Sequence, residues 1–307
     1  MSPKTSRKKR IVYFILFAVF FLVCIPILIL YSMGYTIDSS TFGLSGRGGI
    51  YVLVAEPYVN IYIGNELKET TGIFLREVLV KSLKPKDYLV LAGSDSYWPW
   101  AKFVTVLEGE VSALYPFLVP KALPIKEVLK TDTNYAIVQK LFALETKSSK
   151  IIPSIKEFVT SLGTSTNLLP GGIATNSNII KNVVVKTSAE ANGLIKKKMK
   201  IWKDGKLIFA SWLGTVDRIP PYFCLAQKCK DEITVFSAFS PIGRIDFYPS
   251  RDDAIMLTQG NGVYAMEIDN RPYHNFYPIY KGKNPDFRID GGVVYIKDEN
   301  AFFSVEL

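Results

Sequence analysis

The stretch from Ile11 to Tyr31 carries no charged residue and is aliphatic or aromatic apart from Cys24 and Pro26. An α-helix needs about 20 apolar residues to cross a bilayer core, so this run predicts a transmembrane anchor over 11–35. Lys4, Arg7, Lys8, Lys9 and Arg10 stand directly before it, and a basic cluster beside a first span holds that flank in the cytoplasm. The expectation is a cytoplasmic basic tail over 1–10 and a single-pass protein of the cell membrane whose bulk lies outside. A cleaved secretory signal is the alternative. Its apolar region would be about 7–15 residues long, shorter than this one, and Ser32-Met33-Gly34 makes a poor cleavage site. Val23 precedes Cys24 where a lipobox has a small residue, so Cys24 reads as an apolar filler. Pro26 is tolerable in a membrane helix, where neighbours re-satisfy the freed carbonyl.

The formal net charge is +9, and five of those charges belong to the basic tail. The remainder balances 32 basic against 28 acidic groups. The high pI is therefore mainly a topology signal, and nucleic acid is not an expected partner. Beyond Cys24 the only cysteines are Cys224 and Cys229. A disulfide between them suits an oxidising compartment, and two free thiols are the alternative. A zinc site needs about four ligands, and His274 is the only histidine; no metal and no cofactor are expected.

After the anchor, residues 36–48 read as a Ser/Thr/Gly-rich stalk. Strand signals follow over 49–120. In Tyr58–Ile63, Val59, Ile61 and Ile63 fall on one face, and the pair Gly64-Asn65 marks a reversal. Tyr88–Leu91, Lys102–Val106 and Val111–Leu118 are further apolar or alternating runs. Here the residues resemble a family. Leu83-Lys84-Pro85-Lys86-Asp87-Tyr88-Leu89-Val90-Leu91 is similar to the Leu-x-Pro-Gly-x-Tyr-x-Leu element of PEGA domains. Tyr97-Trp98-Pro99-Trp100, then Phe103–Val106 and Gly109-Glu110, resemble that family's ending, and Glu56-Pro57 with Ile61–Gly64 occupies the place of its naming motif. Lys86 stands where the family has Gly, and Tyr58-Val59 replaces its Gly-Ala. The resemblance implies a small extracytoplasmic β-sandwich without catalytic residues.

Residues 121–182 read as a helical connector with a flexible loop. Tyr135, Val138, Leu141 and Phe142 recur at helical spacing, as do Ile155, Phe158, Val159 and Leu162. Ser154 and Glu157 suit a capping box, and Gly163 a stop. Residues 164–178 are polar and turn-rich. From 183 to 307 the chain reads as strands again. Met199–Lys203, Asp204-Gly205 and Leu207–Trp212 predict a type I′ hairpin. Phe247-Tyr248-Pro249, a charged turn, a strand, Asn261-Gly262 and a second strand resemble a blade of TolB-like and WD40-like propellers, and Asp286–Leu307 echoes the later part. A blade takes about 40–45 residues, so this resemblance implies a partial propeller or curved antiparallel sheets. The fold class expected is mainly β.

No catalytic constellation stands out. Asp246, Asp252, Asp253 and Asp269 are candidates for paired carboxylates, read otherwise as solvated turn residues. Tyr97 and Trp100 read as core. Trp98 is either core or an exposed binding aromatic. Trp202 and Trp212 flank the predicted hairpin as core or cross-strand pairs. The sequence thus points to a membrane-anchored extracytoplasmic binding or scaffold protein of the cell envelope, not an enzyme. Its expected partners are the lipid bilayer and either a cell-wall polymer or another surface protein. A carbohydrate hydrolase using paired carboxylates is the alternative.

Overall fold

The computed structural model describes residues 7–32, 35–37, 44–143, 193–225 and 228–307. The second amphipathic stretch, Ser154 to Gly163, and the turn-rich stretch 164–178 lie outside them. The fold is mainly β, with one long apolar helix at the N-terminus. The chain divides into two compact units, Met1–Val119 and Pro120–Leu307.

The first unit begins with helix α1 (Arg7–Ser32), which contains Pro26 and has no buried residue. Among the described residues it is the one helix long and apolar enough to cross a membrane. A core helix of this length would bury a face against its own protein; this one presents Phe14, Leu16 and Leu22 to the surroundings at 67% exposure or more. Two short paired strands follow, β1 (Tyr35–Ile37) and β2 (Leu44–Gly46). Part of the stretch read as a stalk is therefore strand.

Seven further strands build two sheets: β3 (Gly48–Leu53), β4 (Asn60–Ile63), β5 (Glu66–Thr70), β6 (Glu77–Leu83), β7 (Lys86–Gly93), β8 (Trp100–Val106) and β9 (Val111–Leu114). Their orders are β6-β3-β9 and β5-β4-β7-β8. The β3–β9 pair is parallel, and the chain between these two strands supplies β6 and the whole four-stranded sheet. Alternation decides the core. Val59, Ile61 and Ile63 are buried, and so are Trp100, Val104 and Val106 on β8. Each such side chain contributes about 1.5–3 kcal/mol by leaving water. Lys102 shares that inward face of β8 and is fully buried. At the β4–β5 reversal both Gly64 and Asn65 have positive φ, the backbone that a two-residue type I′ hairpin requires.

The second unit holds β10 (Ile125–Glu127), α2 (Tyr135–Ala143), β11 (Leu194–Lys196), β12 (Met199–Asp204), β13 (Leu207–Trp212), β14 (Cys224–Leu225), β15 (Lys228–Cys229), β16 (Glu232–Ser237), β17 (Ile242–Phe247), β18 (Ala254–Gln259), β19 (Gly262–Glu267), β20 (Phe276–Lys281), β21 (Pro285–Asp290), β22 (Val293–Asp298) and β23 (Ala301–Glu306). Three four-stranded antiparallel sheets result, ordered β11-β12-β13-β16, β17-β18-β19-β20 and β10-β23-β22-β21. The first two share one core, in which Ile201, Ile208 and Val235 meet Ile245, Phe247, Leu257 and Met266. On the third sheet, α2 packs the predicted apolar face: Val138 is buried beside Tyr295 and Phe302, and the rings of Tyr135 and Phe142 lie 5.7 and 5.6 Å from that of Phe302.

Two features differ from the sequence reading. The β12–β13 loop is Gly205-Lys206, because Asp204 still pairs with Leu207. Gly205 has φ +57° and Lys206 is not left-handed, so the turn is not type I′, which needs positive φ at both positions. The second feature is β10, which lies in the stretch read as connector yet pairs with the last strand through Ile125↔Val305.

Candidate functional site

The second unit contains a cleft of about 630 Å³, lined by residues from β11, β12, β17, β18 and the start of β21. Local sequence explains its shape. β17 carries an irregularity between Ile242 and Ile245, and such bulges re-aim side chains beside sites. Gly243 sits so close to β18 that a Cβ there would stand 2.3 Å from Thr258 Oγ1. The Arg244 backbone N–H donates to that hydroxyl at 2.7 Å. Arg244 is thereby turned onto the cleft wall beside Thr258, Lys203 and Asp286.

A charge network backs this wall. Asp286 accepts from Arg244 Nε at 3.2 Å and from Arg288 Nη1 at 2.7 Å. Its Oδ1 also accepts from the Phe287 backbone N–H. Lys203 Nζ donates to the Ile242 carbonyl at 3.1 Å, and Lys196 Nζ donates to the carbonyls of Tyr248 and Pro249. Burial pushes the Asp246 carboxyl above the usual carboxylate range, against the pull of its own hydrogen bond from Phe247 N–H and of nearby Arg244, Lys196 and Arg288. The apolar side is supplied by Leu194, Ile201, Ile245, Pro285 and Trp202, whose ring stacks on Phe209 at 5.5 Å.

Of the four aspartates singled out in the sequence, Asp253, Asp269 and Asp252 all act by charge on Tyr222, and Asp252 and Asp246 both act on Lys196. Asp246 lies within strand β17 and not beside a turn. Asp252 pairs with Lys197 at 3.1 Å. Asp253 accepts two bonds from Arg251, at 2.7 and 2.6 Å. Asp269 is held in the same forked way by Arg271, at 3.0 and 2.7 Å. In both pairs one guanidinium takes up both carboxylate oxygens, the geometry of a structural ion pair. Nearby, Glu267 is buried and accepts from Asn275 Nδ2 at 2.8 Å. Tyr222 is pushed up strongly by burial, then by the charges of Asp253 and Asp269. Among the described residues no three His, Cys, Asp or Glu side chains converge as a metal site requires. His274 is exposed in a loop.

A disulfide joins Cys224 to Cys229, which face each other across the β14–β15 pair. In the first unit Trp100 is core, Tyr97 is half-buried with its hydroxyl donating to Glu56 at 3.3 Å, and Trp98 is half-buried with its backbone N–H bonded to Val119 O at 2.9 Å. Trp212, at the end of β13, packs against the shared core and donates its ring N–H to Thr215 O. Sequence reasoning missed a more exposed apolar group. The β5–β6 loop presents Phe74 at 99% exposure between Ile73 and Leu75, each more than half exposed. Gly72 N–H donates to Leu75 O at 2.7 Å, and Arg76 Nη1 ties the loop to Ala55 O. The available signal was the run Gly72-Ile73-Phe74-Leu75-Arg76, three large apolar residues between a glycine and a charge with no strand pattern. The cleft was missed altogether, since its walls come from segments far apart in the chain.

No protein-family model matches this chain, and no curated protein matches it.

Proposed function

We propose that this chain is a membrane-anchored, extracytoplasmic binding or scaffold protein of the cell envelope. Its anchor is α1, and the basic residues before Ile11 orient it with the N-terminus in the cytoplasm. The first unit acts as a PEGA-like β-sandwich, a reading supported by its two sheets and by the motif residues quoted above. The second acts as a propeller-like array. Three successive four-stranded antiparallel sheets support that reading, as does β10, which completes the sheet of the last strands as a closing strap would.

The observation that carries the binding function is the β5–β6 tip. An isolated exposed apolar side chain needs no explanation, but three consecutive ones on a hydrogen-bonded loop form an anchor of the kind that fills a partner's pocket. The partner is a cell-wall polymer or another surface protein. With the full-length chain held in detergent micelles, so that α1 supplies no attachment, Phe74→Ser is expected to weaken retention on detergent-washed cell walls at least tenfold with an unchanged melting temperature. Unchanged retention would remove the tip from the account.

A further inference from the structure

We propose that the cleft between β12, β17 and β21 is a binding site for a small organic carboxylate with an apolar body. This goes beyond the envelope-binding function, since the site lies in the other unit and takes a different class of ligand.

Three observations converge on it. The volume, about 630 Å³, falls within the range of roughly 300–1,000 Å³ typical of small-molecule pockets. The lining is divided by chemistry: Trp202, Ile245 and Pro285 supply apolar surface, and Arg244, Lys203 and Thr258 supply donors. The charge balance selects the sign. Among the residues that line the cleft, the two cations Lys203 and Arg244 stand against the single carboxylate of Asp286. A single carboxylate on the ligand restores neutrality, whereas a neutral or cationic ligand would not.

The residues behind the wall fix the donors in advance. Asp286 bridges Arg244 and Arg288 and holds both guanidiniums in place. The Arg244 backbone is fixed by Thr258 across the glycine contact. Lys203 is held against the Ile242 carbonyl on the same bulged segment. Donors ordered before binding lose less freedom on contact, which is where affinity for a small ligand arises. A cation within a low-dielectric cleft also attracts an anion more strongly than the same cation on an open surface.

The test uses the full chain in detergent micelles. Benzoate, hexanoate and cyclohexanecarboxylate serve as probes, benzamide is the uncharged counterpart, and acetate is the carboxylate without a body. Phenylglyoxal modification is read at Arg244 by mass spectrometry, with Arg76 as the reference. At least one of the three carboxylates is expected to slow modification of Arg244 severalfold at millimolar concentration, without affecting Arg76. Benzamide and acetate should be at least tenfold weaker. Lys203→Gln should weaken the protecting probe at least tenfold in a calorimetric titration. If that variant melts early, protection of Arg244 in the unaltered chain decides. Equal protection by benzamide and benzoate, or none by any carboxylate, would overturn the proposal.

Discussion

The two units differ in how deeply they set their ion pairs. In the first, Lys68 pairs with Glu66 on strand β5, and the Glu66 side chain remains 75% exposed. In the second, Arg271 pairs with an Asp269 that is only 13% exposed, and Arg288 with 12% exposure meets Asp286. Exposed ion pairs contribute little because water and salt screen them. Half-buried pairs cannot be halved without leaving a charge in low dielectric. The first unit keeps the Lys68–Glu66 pair at the surface and displays an apolar tip, with Lys102 on β8 as a charge inside its core, while the second has half-buried ion pairs in its interior and around a cleft. Recognition by shape suits the first, and recognition by charge suits the second.

The largest effect that would break this comparison is on stability. Arg271→Ala is expected to cost about 2 kcal/mol in denaturant unfolding, because the half-buried Asp269 loses both guanidinium bonds and keeps the one from the backbone N–H of residue 271. Lys68→Ala should leave unfolding indistinguishable from the unaltered chain. Similar behaviour of the two variants would erase the distinction.

A smaller effect sharpens it through pH. Asp246 has a folded-state pKa above its unfolded value, chiefly through burial. Folding therefore disfavours its ionised form, and its contribution to stability improves as pH falls from above the folded value towards the unfolded one near about 4. Asp246→Asn should raise the melting temperature slightly at pH 7, and the gain should shrink towards pH 4. Asp298, on the mostly exposed end of β22, has the opposite sign. Its carboxyl is lowered by hydrogen bonds from the Asn284 and Lys283 backbone. Its contribution is present above the unfolded value and is lost as pH falls through the folded one. A gain for Asp246→Asn that does not depend on pH would contradict the burial argument.

Local pattern made part of this legible in the sequence. Length and apolarity alone mark α1, and strict alternation puts Val59, Ile61 and Ile63 on a buried face. The spacing Tyr135, Val138, Leu141, Phe142 gives the packed side of α2. What failed was positional or long-range. Asp204-Gly205 and Asn261-Gly262 each mark a real reversal, but the loops are Gly205-Lys206 and Gly260-Asn261, because pairing extends to Asp204 in one case and starts at Gly262 in the other. Strand β10 has three exposed residues and no alternation, and it becomes a strand only because β23 offers it an edge. The cleft depends on a bulge at Gly243 and on Asp286, some forty residues later; no spacing rule joins them. Asp246 stood out as an acid, but its burial comes from neighbouring strands and not from its own sequence context.

The central claim is that α1 anchors the chain and the second unit lies outside the membrane, in an oxidising compartment. Thiol labelling of intact cells tests it most directly. With an impermeant maleimide alone, Cys224 and Cys229 should not react. After an impermeant reductant both should be labelled, without lysis. Labelling of the pair only after lysis, with no reductant needed, would place the second unit in the cytoplasm and contradict the account.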